Sequence, residues 1–214
     1  MRSKRRLLRS WKVYTILDDG FFPSRRRLVN KFYDLLKSPV DVIQLRFGDF
    51  GERALYEAAK TMVRAANKRG VPVLLNDRLD AALALGADGV HLGKADMPVR
   101  VARKMLGPEA IIGRTVRGPE DLASPEAKGA DYVAIGPVFA TPLKPRLRAI
   151  PSGRIRKTLE ASRVPLIAIG GINKDNVREV MDTGIRTVAF VRYGITEKDT
   201  VRKIRELRET IEGC

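Results

Sequence analysis

The sequence predicts an α/β fold, a (βα)8 TIM barrel, and three observations carry that expectation. First, one phrase recurs: Gly86-Ala87-Asp88-Gly89-Val90-His91-Leu92-Gly93 returns as Gly129-Ala130-Asp131-Tyr132-Val133-Ala134-Ile135-Gly136, and more loosely as Gly184-Ile185-Arg186-Thr187-Val188-Ala189-Phe190-Val191. Each copy is a helix-ending glycine, a short step, then an apolar run with β-branched residues, the pattern of a helix handing over to a buried parallel strand. Second, such runs alternate along the chain with segments of helical periodicity. Third, 214 residues with 44% hydrophobic content suffice for one barrel domain with a sizeable core.

In order, strands are expected near Val13–Leu17, Val40–Leu45, Val73–Leu75, Gly89–Leu92, Ile111–Gly113, Tyr132–Ile135, Leu166–Ile169 and Thr187–Val191. Among the helices, Arg53–Arg69 sets Leu55, Ala58, Ala59, Met62, Val63 and Ala66 close to helical spacing. Asp77–Leu85 is rich in Ala and Leu and stops at Gly86. Asn173 suits the N-cap of Lys174–Asp182, and Lys198–Ile211 closes the chain. Two stretches fit no element. Phe139–Gly153 carries Pro142, Pro145 and Pro151, and a loop of that length is functional or disordered. Residues 1–11 read as a basic N-terminal tail, with residues 12–214 as the single barrel domain.

The formal charge is +16, and Arg2, Lys4, Arg5, Arg6 and Arg9 fall within the first ten residues. Such a leader suits nucleic acid or anionic lipid, but it lacks the apolar core and cleavage site of a secretory signal. The remaining cations are scattered without the interleaved aromatics of a base-stacking surface, so a nucleic-acid partner is not expected. An acidic ligand such as a phosphate ester is attracted in either case. No apolar run reaches the ~20 residues of a membrane helix. The only cysteine, Cys214, cannot form an intramolecular disulfide, which fits a reducing, cytoplasmic setting.

Barrel chemistry sits at the C-terminal strand ends. There the sequence places Gln44-Leu45-Arg46, Asn76-Asp77-Arg78, His91 through Asp96, Thr115-Val116-Arg117, Gly170-Gly171-Ile172 and Arg192-Tyr193-Gly194. Gly170-Gly171 before a helix start, beside Arg192, reads as an anion site. Asp77 and Asp96 end neighbouring strands and are placed to share one Mg2+; each also suits a helix N-cap. His91, inside a strand, reads as a packing or hydrogen-bonding residue. The aspartate of each Gly-Ala-Asp reads as serving its turn.

At these residues the chain resembles the thiamine phosphate synthase family and its sister family of TenI-type thiazole tautomerases, from about Tyr14 to Ile211. The marks are Gln44-x-Arg46, Asn76-Asp77-Arg78-x-Asp80, Gly86–Gly93 followed by Asp96, Gly129–Gly136 with Pro137-Val138-Phe139-x-Thr141, and Ala168-Ile169-Gly170-Gly171-Ile172. The resemblance implies an enzyme joining a pyrimidine diphosphate to a thiazole phosphate, with Mg2+ on Asp77 and Asp96. It implies Arg46, Asn76 and Lys144 on the pyrophosphate, with Thr115 where the family has a touching Ser. Gln44 and Thr141 would contact the substrates, and Gly170, Gly171, Val191 and Arg192 would take the thiazole phosphate.

The chain departs from that pattern at three places. Gly48 stands where the synthases carry a Lys after strand two. Leu143 replaces the second Thr of the strand-six loop. Arg117 stands where a His is expected, and a guanidinium cannot act as the tautomerase acid–base group. Arg117 is therefore the expected substitute for the cation missing at Gly48, with Lys94 and Arg114 as further candidates. Two competing expectations remain beside the synthase: a TenI-like tautomerase or non-catalytic thiazole-phosphate-binding paralogue, and a nucleic-acid-binding or regulatory barrel.

Overall fold

The computed structural model describes residues 4–48, 53–196 and 198–214. Eight strands form one closed, all-parallel barrel in sequence order: β1 Val13–Asp18, β2 Val42–Arg46, β3 Val73–Asn76, β4 Gly89–Leu92, β5 Ile111–Val116, β6 Tyr132–Ile135, β7 Leu166–Ile169 and β8 Thr187–Phe190. Around it lie α1 Arg25–Lys37, α2 Arg53–Lys68, α3 Leu79–Leu85, α4 Val99–Leu106, α5 Pro119–Leu122, α6 Ser152–Ala161, α7 Val177–Met181 and α8 Thr200–Glu212. The α2 face buries Leu55, Ala59, Met62, Val63 and Ala66, the stripe its periodicity predicts. None of the helices among the described residues is long and apolar enough to cross a membrane.

Several expected boundaries move. β2 starts at Val42 rather than Val40, because Asp41 is occupied at the barrel floor: its carboxylate accepts the amides of Lys12 and Val13. β5 runs on to Val116, which puts Thr115 inside the strand. α3 starts at Leu79 rather than Asp77, and α7 shrinks to Val177–Met181. Asn173 still caps, but it caps the turn before α7: its Oδ1 accepts from Asp175 N at 2.8 Å.

The Gly-Ala-Asp repeat holds strands together. Asp88 Oδ2 accepts Val73 N, and Asp131 Oδ2 accepts Ile112 N, each at 2.8 Å. Each aspartate therefore ties the preceding strand to its own, across the floor, rather than serving only its turn. Asp131 is also paired with Arg103 at 2.6 Å.

Of the segment expected as a tail, the described residues 4–11 pack into the fold. Lys4–Ser10 is a 3-10 helix, and Leu8 and Trp11 are buried inside the barrel with Tyr14, Ile16, Val42, Leu74 and Tyr132. Trp11 packs edge-on against both Tyr14 and Tyr132, with ring centroids about 6 Å apart. Burying a large apolar side chain contributes roughly 1.5–3 kcal/mol, enough to overcome the solubility of the neighbouring cations.

Candidate active site

A cavity of about 510 Å³ opens at the C-terminal strand ends. On one side it is lined by Gln44 and Arg46 from β2 and by Asn76 and Asp77 at the end of β3. Thr115 of β5 lines its wall, and the loop after β6 contributes Thr141 and Lys144. Gly170, Gly171, Val191 and Arg192 close the opposite side. Eleven of the thirteen residues expected at the site thus face one cavity; Asp96 sits directly behind Asp77, and Arg117 lies elsewhere.

Asp77 is the sole non-glycine residue among those described with positive φ, at 61°. That left-handed turn takes it out of α3, so it is not an N-cap; strained backbone of this kind clusters at functional sites. Asp96 is not a helix cap either. Its Oδ2 accepts Gly93 N at 2.6 Å, and Asp77 Oδ1 lies 3.4 Å from the same amide. The two carboxyl groups face each other within hydrogen-bonding reach. Burial, together with the Asp96 carboxylate, pushes the Asp77 carboxyl up to about 6. A divalent cation would relieve that repulsion. Among the described residues no cluster of three or more His, Cys, Asp or Glu is present. Two carboxylates fit Mg2+, which takes one or two from protein and completes its shell with phosphate oxygens and water.

The cations divide into two sets. Arg46, Lys144 and Arg192 line the cavity, with Arg46 Nη1 also 3.0 Å from Asp18 Oδ2. The three candidates for the missing charge do not. Lys94 pairs with Asp121 at 2.8 Å, and buried Arg114 donates to the carbonyls of Lys94, Asp96 and Met97. Arg117 donates to Gly136 O and Arg148 O, both at 3.2 Å, which ties together the two ends of the loop after β6. Arg117, expected to supply the lost charge, is thus outside the cavity lining and bonded to the loop that carries Lys144. At Gly48 itself, among the described residues a Cβ would meet only Asp19 Oδ1, at 3.8 Å.

The glycine pair also has a second reason to exist. Gly170 and Gly171 have φ of 102° and 69°, and a Cβ at either would come within 2.8 Å of Pro137, Phe139 or Ala140. The loop after β6 rests on them, so glycine is required there whether or not an anion binds. Further walls of the cavity, not expected as site residues from the sequence, are Tyr14, His91, Phe190 and Tyr193. Strand alternation could have pointed Tyr14 inward, since it sits one position from outward-facing Val13. Buried Gln44 leaves its Nε2 with no partner among the described residues, although it lines the cavity. An orphaned buried donor is costly, and a ligand acceptor removes that cost.

A family model described as thiamine monophosphate synthase matches residues 13–193. The chain belongs to the thiamine monophosphate synthase family. A thiamine-phosphate synthase from Caldanaerobacter subterraneus is 40% identical over 204 residues, covering 94% of this chain and 95% of the relative. One from Pyrococcus furiosus is 37% identical over 201 residues, covering 94% and 95%. A solved thiamine phosphate pyrophosphorylase from Pyrococcus furiosus superposes with a TM-score of 0.84 at 36% identity, covering 98% of each chain. Phosphoribosylanthranilate isomerase from Pyrococcus furiosus, at 17% identity and a TM-score of 0.65, shares the barrel alone.

Proposed function

We propose that this chain joins hydroxymethylpyrimidine diphosphate to a thiazole phosphate, giving thiamine phosphate and pyrophosphate. The observation that carries this reading is the pairing of Asp77 with Asp96 beside a cavity that Arg46, Asn76 and Lys144 line. The C–O bond between the pyrimidine methylene and the diphosphate breaks, and its electron pair leaves with the oxygen. The thiazole nitrogen lone pair then forms the new C–N bond, and no proton has to move.

Such a reaction needs charge stabilisation rather than acid–base groups. Arg46 and Lys144 neutralise the departing diphosphate, while Asn76 and Thr115 donate hydrogen bonds to it. Bound at Asp77 and Asp96, Mg2+ supplies further neutralisation of phosphate charge. Gln44 and Thr141 orient the organic part of the substrates. Gly170, Gly171, the Val191 turn and Arg192 take the thiazole phosphate. A tautomerase reading lacks its acid–base group: Arg117 is held by two carbonyls, and both ring nitrogens of His91 are engaged.

The test is direct. Both precursors supplied with Mg2+ should yield thiamine phosphate and pyrophosphate in equal amounts. Binding of the thiazole phosphate without any product would assign the chain to the non-catalytic reading.

A further inference from the structure

Four polar side chains run from the barrel floor to the cavity wall, and the mechanism above uses only the last. Tyr14 Oη lies 2.9 Å from Tyr132 Oη. Tyr132 Oη lies 3.0 Å from His91 Nδ1, and His91 Nε2 lies 3.0 Å from Thr115 Oγ1. The fold makes room for this string. A Cβ at Gly113 would fall 2.1 Å from Tyr132 Cζ, so the phenol occupies the space a side chain on β5 would fill. The imidazole stacks on Tyr132, with ring centroids 5.6 Å apart and an interplanar angle of 24°.

Each of the three hydroxyls carries one proton, and a neutral imidazole carries one N–H. Three hydrogen bonds use three of those four protons, so one donor remains at an end of the string. If the ring holds its proton on Nε2, it donates to Thr115. Nδ1 then accepts from Tyr132, Tyr132 accepts from Tyr14, and the Thr115 O–H is left for the cavity. If the proton is on Nδ1, the string runs backwards: Thr115 donates to the ring and the free proton is at Tyr14. Tyr14 is 2% exposed and borders the cavity only at its apolar end, with Ile16 and Ala189. A donor there faces apolar neighbours, whereas Thr115 is half-buried and lines the same cavity as the cationic residues Arg46 and Lys144. An anionic ligand at that wall rewards a donor and repels a lone pair.

We propose that Tyr14, Tyr132 and His91 form a one-way hydrogen-bond string that fixes the His91 proton on Nε2 and leaves the Thr115 hydroxyl as a donor aimed into the cavity. Tyr132 and His91 are thereby positioning residues, acting through Thr115. Hydrogen bonds in such a chain strengthen one another, so the Thr115 donor is both directed and polarised. The use made of that donor rests on the synthase reading; the direction of the string does not.

His91 is the only histidine in the chain, so a two-bond proton–nitrogen NMR correlation on histidine-labelled protein reads one ring. The expected result at neutral pH is the Nε2–H signature in the ligand-free protein. An Nδ1–H signature overturns the proposal. Tyr132→Phe removes the donor to Nδ1 at nearly constant shape. It should mix the two tautomers and lower kcat about tenfold with KM within about twofold, the pattern of a contact made in the transition state. An unchanged Nε2–H signature together with unchanged kcat in that variant also overturns it. Pyrophosphate affinity should fall in Thr115→Val and persist in Thr115→Ser, and equal affinity in both removes Thr115 as the terminal donor. An Nε2–H signature in a protein that makes no thiamine phosphate leaves the string standing and sinks the synthase reading alone.

Discussion

At the floor of the barrel, Tyr14 and Tyr132 hydrogen-bond one another beneath Trp11, and each hydroxyl has a neutral partner. At the rim, Arg46, Lys144, Arg192 and Asp77 face one cavity, and Gln44 keeps a buried donor unpaired. The two tyrosines therefore close their hydrogen bonds within the protein, and burial raises both hydroxyls above their usual range, keeping them neutral. The rim leaves its interactions open and tolerates a left-handed aspartate facing a second carboxylate. A barrel so built gains stability at one end and gives some up at the other, where ligands complete it.

That comparison can be broken most forcefully at Trp11. Trp11→Ala should cost about 3–5 kcal/mol of stability, as large core truncations do, and leave KM unchanged in the folded fraction. Urea unfolding read by a probe other than tryptophan checks this. A midpoint close to wild type would return residues 1–11 to the status of a tail.

Asp77→Asn is the converse experiment. Turnover should fall by about a hundredfold, the scale for losing a preorganised charge contact. Thermal unfolding should stay the same or move upward, because one of two facing carboxylates is gone and Asn accepts positive φ. A variant that loses activity only by unfolding would erase the division between floor and rim.

Acid sensitivity separates the two regions again. Burial, reinforced by the charge of Lys144, pulls His91 down from 6.5 to about 4. Between those values the unfolded chain binds a proton that the folded chain lacks, so stability falls as pH falls. Asp77 acts in the opposite sense: its pKa rises from 3.8 to about 6, so across that window the folded chain holds the extra proton and stability rises as pH falls. The wild type should be nearly flat between them. Asp77→Asn should expose the His91 slope, at most about 3 kcal/mol from pH 6.5 to pH 4. Chemical denaturation at pH 7 and pH 4.5 measures it, and a flat response in the variant would mean that His91 is not held neutral.

Arg117→Ala tests a residue that belongs to the rim by position and to the frame by contact. Loss of its two carbonyl bonds should free the loop after β6 and reduce kcat/KM about tenfold, chiefly through KM, because Lys144 is misplaced rather than removed. A hundredfold loss confined to kcat would instead put the guanidinium on the leaving group. The smallest effect is expected at Gly48→Lys. The described neighbours leave space for a side chain, and a cation there should raise kcat by about threefold, a fraction of what a fully preorganised charge supplies. Steady-state kinetics with both precursors reads either variant.

The rim was the more legible of the two regions. Its residues follow strand ends, and strand ends follow apolar runs, so Gln44, Arg46, Asn76, Thr115 and Gly170 could be placed by counting. Asp77 could not be fully placed, because a carboxylate before an Ala- and Leu-rich stretch reads equally well as a cap. Its positive φ leaves no trace in composition. Arg117 falls outside the cavity lining for a related reason. Two residues beyond Thr115 is the same side of an extended chain, but β5 ends at Val116 and the chain turns at Gly118, so alternation stops one step too soon. At the floor, two apolar residues among many cations gave no periodic signal, and the buried role of Leu8 and Trp11 comes from the barrel opening they fill.

The floor aspartates impose a grain on the barrel. Asp41 ties β2 to β1, Asp88 ties β4 to β3, and Asp131 ties β6 to β5. In the third copy of the phrase Arg186 stands where the others carry Asp, and the last pair is anchored differently: Thr187 Oγ1 donates to Trp11 O at 2.7 Å. Three quarters of the barrel are thus pairs stitched by their own sequence. In the fourth pair, β7 and β8, the stitch runs instead across the closing seam, from β8 to the residues before β1, so the ring is sealed by its beginning rather than by its end.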